Sequence, residues 1–332
     1  MKKILIISDG IPGHFNQSKG VALIISEIDE CITATHEMAW RSNFLRSLLT
    51  IISKLLLKLK NKIIAKGILW MYLPINIQGL DLIIAAGGNS APLSAAIKLA
   101  HSVPVIQLGS PRGLHSSMFN ALITIEKYFD DPSNIIAAIS PNLYSPAICS
   151  RAAQKKNLKE HLLFLIGGEG IGYSYSTMEW ETMIMKIQNL HSQTKLPISI
   201  VTSRRTSIEV ENLLQSSLKN IPGDYSAWFH HGDKNFNLAA LLGSAINIFV
   251  TEDSAMMISE SISSGKPVTT LYPSNIKSPN RYKNHIAKYI DLELIYRAPI
   301  YDFQLRSTQD LNEKITEHRN GLAKKLMRAI GW

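Results

Sequence analysis

Residues 4–14 read Ile4-Leu5-Ile6-Ile7-Ser8-Asp9-Gly10-Ile11-Pro12-Gly13-His14, four consecutive apolar residues followed by a glycine turn. An uninterrupted apolar run marks a strand covered on both faces, as in a parallel sheet, whereas a half-buried strand would alternate. A helix is expected next, over about residues 17–28. The same order of apolar run, small-residue turn and helical stretch recurs along the chain. Residues 82–86 lead into Gly87-Gly88-Asn89-Ser90 and a helix over 91–101; residues 103–108 lead into Gly109-Ser110-Pro111-Arg112. After a break near 141–151 the pattern restarts. Residues 162–166 precede Gly167-Gly168-Glu169-Gly170 and a helix over 178–193. Residues 198–202 precede Ser203-Arg204-Arg205-Thr206, and residues 246–250 precede Thr251-Glu252-Asp253-Ser254. The run 268–271 closes the series.

The pattern predicts an α/β chain of two doubly wound, Rossmann-like domains. Every loop named above falls at the carboxyl end of a strand, where such sheets bind ligands, so the loops are expected to line one interdomain cleft. The expected division is 1–150, 151–310, and a C-terminal helix over 311–332 that packs back on the first domain. The chain has 332 residues, enough for two domains of ordinary size. With 45% hydrophobic and 18% charged residues it is globular, which excludes disorder, collagen and coiled coil. A net charge of +9 suits an anionic partner, and it is spread over both halves: 13 basic against 9 acidic residues up to position 150, and 22 against 17 beyond. Cys31 and Cys149 are too few for a disulfide framework and too far apart for a metal knuckle, which points to a reducing cytoplasm. The apolar run after Lys2 and Lys3 is too short for a signal sequence and reads as a buried first strand.

Several side chains stand where chemistry is expected. His14 lies in the first strand-to-helix turn, flanked by Gly13, Asn16 and Gln17, and reads as a base for a hydroxyl nucleophile or as a hydrogen-bonding surface residue. Gly87, Gly88, Asn89 and Arg112 would complete that wall. In the second half, Asp253 or Ser254 is expected to cap a helix whose free N–H groups form an anion site. Glu260 is two turns along that helix, seven residues after Glu252, and its carboxylate could accept from ribose hydroxyls; the bland reading is a capped helix with solvated acids. Ser203-Arg204-Arg205 places two guanidinium groups at a strand end, where one suits diphosphate oxygens and the other a salt bridge. Gly167-Gly168 would let backbone approach a ligand closely, but it is not a Walker loop. Arg281, Lys283 and His285 read equally as substrate contacts or as a basic helix surface. No metal-ligand motif is present, and the aromatic residues do not interleave with basic ones as nucleic-acid binding would require.

Residues 41–70 break the pattern. They carry seven basic residues (Arg41, Arg46, Lys54, Lys58, Lys60, Lys62, Lys66) and no acid, with Phe44, Leu48, Ile52, Leu55, Leu59 and Ile63 at helical spacing. A basic amphipathic helix can lie in an anionic lipid interface; the alternative is a domain helix with a solvated lysine face.

Gly10-Ile11-Pro12-Gly13-His14-Phe15-Asn16-Gln17-Ser18, Ile166-Gly167-Gly168, Thr202-Ser203-Arg204-Arg205-Thr206 and residues 251–260 with Gly265-Lys266-Pro267-Val268 together resemble the "elongated mitochondria" family. That family is named after a plant mitochondrial-fission factor and has bacterial members. The match runs over roughly residues 4–290. Gly13-His14 and Gly87-Gly88 are also similar to the glycine loops of the peptidoglycan N-acetylglucosaminyltransferase that makes lipid II. One departure is the segment 232–237, where an Asn-Pro-Tyr-like stretch would precede the donor helix.

The resemblance implies the GT-B fold and a metal-independent, inverting glycosyltransferase with no cofactor beyond its nucleotide-sugar substrate. The donor would contact Gly167, Gly168, Ser203, Arg204, Arg205, Glu252, Asp253, Ser254 and Glu260. A lipid-linked or envelope-glycan acceptor would meet His14 as base, at the cytoplasmic face of a membrane contacted through residues 41–70. The alternatives are a non-catalytic membrane-recruiting adaptor, as the family name implies, or a nucleotide-sugar epimerase of the same fold.

Overall fold

The apolar runs become the central strands of two parallel sheets in the structure, a computed structural model. It describes every residue except Asn43, Leu45, 223–225, 233–235 and 307–309. Half of the atypical segment 232–237, residues 233–235, therefore lies outside the described residues. The chain divides into two compact units, Met1–Leu143 with Glu317–Trp332, and Tyr144–Thr316.

The first unit opens with β1 (Lys2–Ser8), α1 (Pro12–Ser26), β2 (Cys31–Glu37), α2 (Arg46–Leu57) and α3 (Lys62–Trp70). It continues with β3 (Leu82–Ala86), α4 (Ala91–His101), β4 (Val105–Leu108), β5 (Ala121–Thr124) and β6 (Asn134–Ile136). Its strands are all parallel, in the order β2-β1-β3-β4-β5-β6. Ile4, Ile6, Leu82, Ile84 and Ile106 pack under α1, while Leu5, Ile7, Ile83 and Val105 face α3 and α4. Both faces are covered, which is why these strands read as continuous apolar runs. Gly20 in α1 lies against the chain at Asn142, whose backbone nitrogen is 2.4 Å from the point a Cβ would occupy. No side chain fits there.

The second unit contains α5 (Pro146–Lys156), β7 (His161–Ile166), β8 (Tyr173–Ser174), α6 (Thr177–Thr194), β9 (Ile198–Thr202) and α7 (Ile208–Leu218). It goes on through α8 (Leu238–Ser244), β10 (Ala245–Thr251), α9 (Ala255–Ser263), β11 (Val268–Tyr272), β12 (Asn275–Ile276), α10 (Asn280–Asp291) and β13 (Tyr296–Pro299). The parallel sheet has the order β13-β11-β10-β7-β9, with β8 and β12 as a small antiparallel ribbon. The boundary falls before α5, not within it as the composition break suggested, because α5 packs on α8. The last helix, α11 (Asn312–Ile330), puts Leu322, Leu326 and Ile330 into the α1-side core of the first unit.

Segment 41–70 is two helices rather than the single one that the spacing suggested. The chain turns at Lys60, whose φ is +49°, and Asn61 caps α3 by accepting from Ile63 N at 2.8 Å and Ile64 N at 3.1 Å. Ser53, Leu57, Ala65 and Ile68 are fully buried against the unit's core, and Ile52 is half-buried. What remains outside is apolar as well as basic. Phe44, Leu48, Ile51, Leu55, Leu59, Ile63 and Trp70 are all more than half exposed. The Arg46 side chain lies outside the described residues. Among the described residues no helix is long and apolar enough to cross a membrane.

Candidate functional site

In the first unit, β1 and β3 are neighbours although β2 lies between them in sequence. The chain winds outward in both directions from this pair, and the loops after the two strands flank the switch point where such sheets take ligands. From the end of β1 come Asp9 and, in the first turn of α1, His14. The His14 Nδ1 is 3.0 Å from Asp9 Oδ2 and 3.2 Å from Oδ1. The Asp9 side chain is 1% exposed and that of His14 33% exposed. A carboxylate only accepts, so Nδ1 carries the hydrogen and donates it, and in the neutral ring Nε2 then keeps its lone pair. Histidine oriented by a buried carboxylate is the arrangement of a general base.

The β3 loop completes this group. Asn89 donates from Nδ2 to Asp9 Oδ2 at 3.5 Å, and Arg112 donates from Nη1 to Asn89 Oδ1 at 3.3 Å. Gly87 has a φ of +84°, and a Cβ on it would stand 2.3 Å from His14 Nδ1. A Cβ at Gly88 would stand 2.4 Å from Arg112 Cδ. The glycines are therefore the room in which His14 and Arg112 lie. Gly13, Asn16 and Gln17 share α1 with His14, but Asn16 and Gln17 make no hydrogen bond to this group among the described residues. Asp9 was missed in the sequence because the carboxylate and imidazole meet across a Gly-Ile-Pro-Gly turn, to which no helical or strand spacing applies. An acid at the end of a buried strand, followed by a glycine turn and a histidine, was the signal available.

In the second unit the switch point lies between β7 and β10. Three loops are stitched together there. Gly167 N donates to Thr251 Oγ1 at 2.7 Å, and Thr206 Oγ1 reaches Gly167 O at 2.6 Å and Ile166 O at 2.9 Å. Arg205 Nη1 donates to the Asp253 carbonyl and is 3.3 Å from Asp253 Oδ2. The position of a Cβ on Gly167 is 2.2 Å from the Asp253 carboxylate, and on Gly168 it is 2.1 Å from the Arg205 carbonyl. These contacts within the unit account for both glycines. Ser203 is used in the turn, its Oγ accepting from Arg205 N at 3.2 Å. Arg204, by contrast, is exposed and makes no ion pair among the described residues.

The expected cap of α9 is not made by either candidate. Ser254 occupies the N-cap position without a side-chain bond, and Asp253 turns toward Gly167 and Arg205. The first-turn N–H groups of α9 are left uncapped. Burial raises the pKa of Asp253 despite its bonds to Thr251, Gly168 and Arg205. Glu252 departs from the expected donor-facing role. It is fully buried, and its carboxylate accepts from Arg297 Nε at 2.7 Å, Arg297 Nη2 at 3.0 Å and Thr270 Oγ1 at 2.7 Å. Its partner is 45 residues downstream, beyond any local pattern. In the cluster at 281–285, Arg281 and Lys283 are exposed, while His285 turns inward between Tyr282 and Tyr289. Burial pushes its pKa down to about 4.

Glu260 sits half-buried on α9, and burial pushes its pKa up to about 7 from 4.5. The native state then holds this proton more tightly than the unfolded chain does. Glu260 therefore favours folding most below about pH 4.5, and that contribution is lost as the pH rises toward 7. Glu260→Gln should raise stability on the order of 1–3 kcal/mol at pH 8 and leave it nearly unchanged at pH 5. Thermal midpoints at the two pH values check this; equal shifts at both would mean that ionisation is not the cause.

A cavity of about 710 Å³ in the first unit runs between the chain at Leu73–Leu80 and α4, walled by Leu69, Ile77, Leu93 and Val103. It contains none of the residues above. Among the described residues no group of His, Cys, Asp and Glu could hold a metal ion.

Two parallel, doubly wound units, each with polar residues gathered at its switch point, define a GT-B-like fold. The chain matches the mitochondrial fission ELM1 family over residues 12–316 and belongs to that family. Protein RP120 of Rickettsia prowazekii (strain Madrid E) is 27% identical over 161 residues, which cover 47% of this chain and 44% of that one. The match thus spans under half the length of that relative. The UDP-GlcNAc 2-epimerase of Methanocaldococcus jannaschii shares the fold, with a TM-score of 0.52 at 10% identity over 99% of this chain and 100% of that one. The E. coli ADP-heptose LPS heptosyltransferase II aligns over 98% of this chain and 99% of that one, at 11% identity and a TM-score of 0.46.

Proposed function

We propose that this protein is a glycosyltransferase that moves a sugar from a nucleotide-sugar to a lipid-linked or envelope-glycan acceptor at the cytoplasmic face of a membrane. The observation that carries this reading is the His14–Asp9 pair at the switch point of the first unit, with Nε2 making no hydrogen bond among the described residues. In the reaction, Nε2 takes the proton of an acceptor hydroxyl as its oxygen attacks the anomeric carbon. The bond from that carbon to the diphosphate oxygen breaks, and the nucleotide diphosphate leaves with the electron pair. Attack opposite the leaving group inverts the anomeric centre. Arg204 and the uncapped N-terminus of α9 would stabilise the charge developing on the diphosphate, the task a metal performs in other transferases. Gly167, Gly168, Ser203, Arg205 and Asp253 build the loops that position those groups, and Glu260 is offered to the ribose.

The test is a thermal-shift series with nucleotides and nucleotide-sugars, since any ligand of the native state raises the midpoint. The expected result is stabilisation by one nucleotide class, lost in a folded Arg204→Ala variant. Unchanged stabilisation in that variant would remove Arg204 from the donor site. An epimerase draws on the fold shared with the M. jannaschii enzyme and would convert its nucleotide-sugar with no acceptor present. An adaptor would be stabilised by none of these compounds. Membrane contact through α2 and α3 would appear as sedimentation with anionic vesicles and not with zwitterionic ones, weakening as salt shortens the Debye length.

A further inference from the structure

The cavity in the first unit has the make-up of a site for a hydrocarbon chain. At about 710 Å³ it is far larger than the voids that close packing leaves, and it lies in the range of sites that hold small molecules. Its floor is apolar, with Leu93 of α4 fully buried and Val103, just before β4, 9% exposed. Its outer wall is the irregular stretch Leu73–Leu80, in which Ile75, Ile77 and Leu80 rest partly on the core of the unit. That wall is fastened at both ends, Leu73 N donating to Ala39 O at 2.8 Å and Asp81 N to Lys3 O at 2.9 Å. Among the described residues the lining includes no acid, and the carboxylate next to it in sequence, Asp81, accepts from Lys3 N at 2.8 Å.

The rim is built differently. Leu73 is 46% exposed, and Trp70, at the end of α3, is 70% exposed. An antiparallel bridge between Trp40 and Tyr72 brings Arg41 beside them. The Arg41 N donates to Met71 O at 3.0 Å and its Nε to Trp70 O at 2.7 Å, with the guanidinium carbon 5.3 Å from the Trp70 ring centroid. Lys66 is exposed one turn back on α3, three residues before Leu69 and four before Trp70, so it neighbours both on the helix surface. Leu69 is itself part of the cavity wall. Tryptophan and cationic side chains around an apolar opening suit the boundary between water and lipid. The indole sits at head-group level, and the cations keep their charge against anionic groups.

Deepening the membrane contact proposed above, we infer that this cavity takes the acyl chain of an anionic lipid, the chain lying over Leu93 and Val103 and the head group at Trp70, Arg41 and Lys66. The exposed apolar side chains of α2 and α3 would then give general adhesion, and the cavity a site for one lipid molecule.

The probe is dodecanoate, titrated calorimetrically into the full chain below its micelle concentration, beside dodecyltrimethylammonium, which has the same chain and the opposite charge. Dodecanoate is expected to bind at least about tenfold more tightly than the cation. Val103→Phe fills the floor and Leu73→Glu places a charge at the mouth, so each should weaken dodecanoate about tenfold or more. Lys66→Glu should weaken it about threefold or more. Lys324→Ala, an exposed charge on α11 across the sheet from α3, and Leu55→Ser, on the outer face of α2, should each change it by under about twofold. Leu73 is half exposed, so Leu73→Glu keeps the test decisive if Val103→Phe does not fold. No binding of dodecanoate, or affinity within about twofold of wild type in Leu73→Glu, overturns the inference. Equal binding of dodecyltrimethylammonium overturns its anionic part. A loss in Leu55→Ser as large as in Leu73→Glu places the chain on the outer face of α2 and overturns the cavity site. Vesicle sedimentation separates this from the membrane reading. Sedimentation without dodecanoate binding rejects only the cavity site, and cavity-dependent dodecanoate binding without sedimentation supports the site and rejects only the membrane contact.

Discussion

Replacing Asp9 with Asn is expected to lower kcat by about 10²–10⁴-fold, close to the loss from removing the His14 imidazole, with donor affinity within about twofold of wild type. The reason is a tautomer. Asp9 is acceptor-only and almost wholly buried, so it keeps the hydrogen of His14 on Nδ1 and the lone pair on Nε2. Asparagine is nearly the same shape but can turn its NH₂ toward Nδ1. The ring hydrogen then moves to Nε2, and the base is lost although the fold is kept. His14→Ala removes the base directly. Gly87→Ala should act in the same direction, because its Cβ would displace the imidazole. A merely structural Asp9 would lower the thermal midpoint and leave kcat per folded molecule unchanged. Near-normal turnover in folded Asp9→Asn would reduce His14 to a turn residue.

The central strands were legible because both faces of each sheet are covered. Leu82–Ala86 and Ile198–Thr202 are buried at every position, and both strands have the ends that the sequence pattern gave, Ser199 being the one polar residue inside the second. The edge strand Cys31–Glu37 was not, because most of its residues are exposed and polar residues alternate through it. Which loop residues come together was legible where a residue meets neighbours on adjacent strands of the switch point, as His14 does with Gly87. It was not legible where the partner comes from a distant element. Arg205 and Glu252 both looked available for the donor, yet Arg205 is held by the buried Asp253 and Glu252 by Arg297, partners that local sequence does not reveal. The hairpin at 46–70 illustrates a third limit. Periodicity found an apolar stripe, but with apolar residues on both sides of α2 it could not say which side faces the core. Ile52 was placed on the outer stripe, and it is Ile51 that is exposed.

The Glu252–Arg297 pair carries the largest stability effect expected in the second unit. Glu252 is fully buried at the end of β10, and Arg297 grips both its oxygens from β13 while stacking 3.9 Å from the Tyr272 ring centroid. Burial alone would lower the Arg297 pKa, and its hydrogen bonds and charge pairing with Glu252 raise it instead. Arg297→Ala leaves a carboxylate inside the unit with Thr270 and Tyr173 as its remaining side-chain partners. A fully buried pair broken from one side costs about 3–5 kcal/mol; with the Arg297 side chain 33% exposed the cost here is on the order of 2–3 kcal/mol, or roughly 4–12 °C in Tm for a domain of this size. Arg297→Lys should recover part of the loss, since a point charge keeps the pairing but not the two-oxygen grip. Replacing both partners with apolar residues of similar volume should recover more than Arg297→Ala retains, because no charge is then buried alone. Thermal melts of the four proteins decide the matter. A loss that Arg297→Lys does not reduce would place the effect of Arg297 in its packing on Tyr272, and a loss under about 1 kcal/mol would mean that water reaches Glu252.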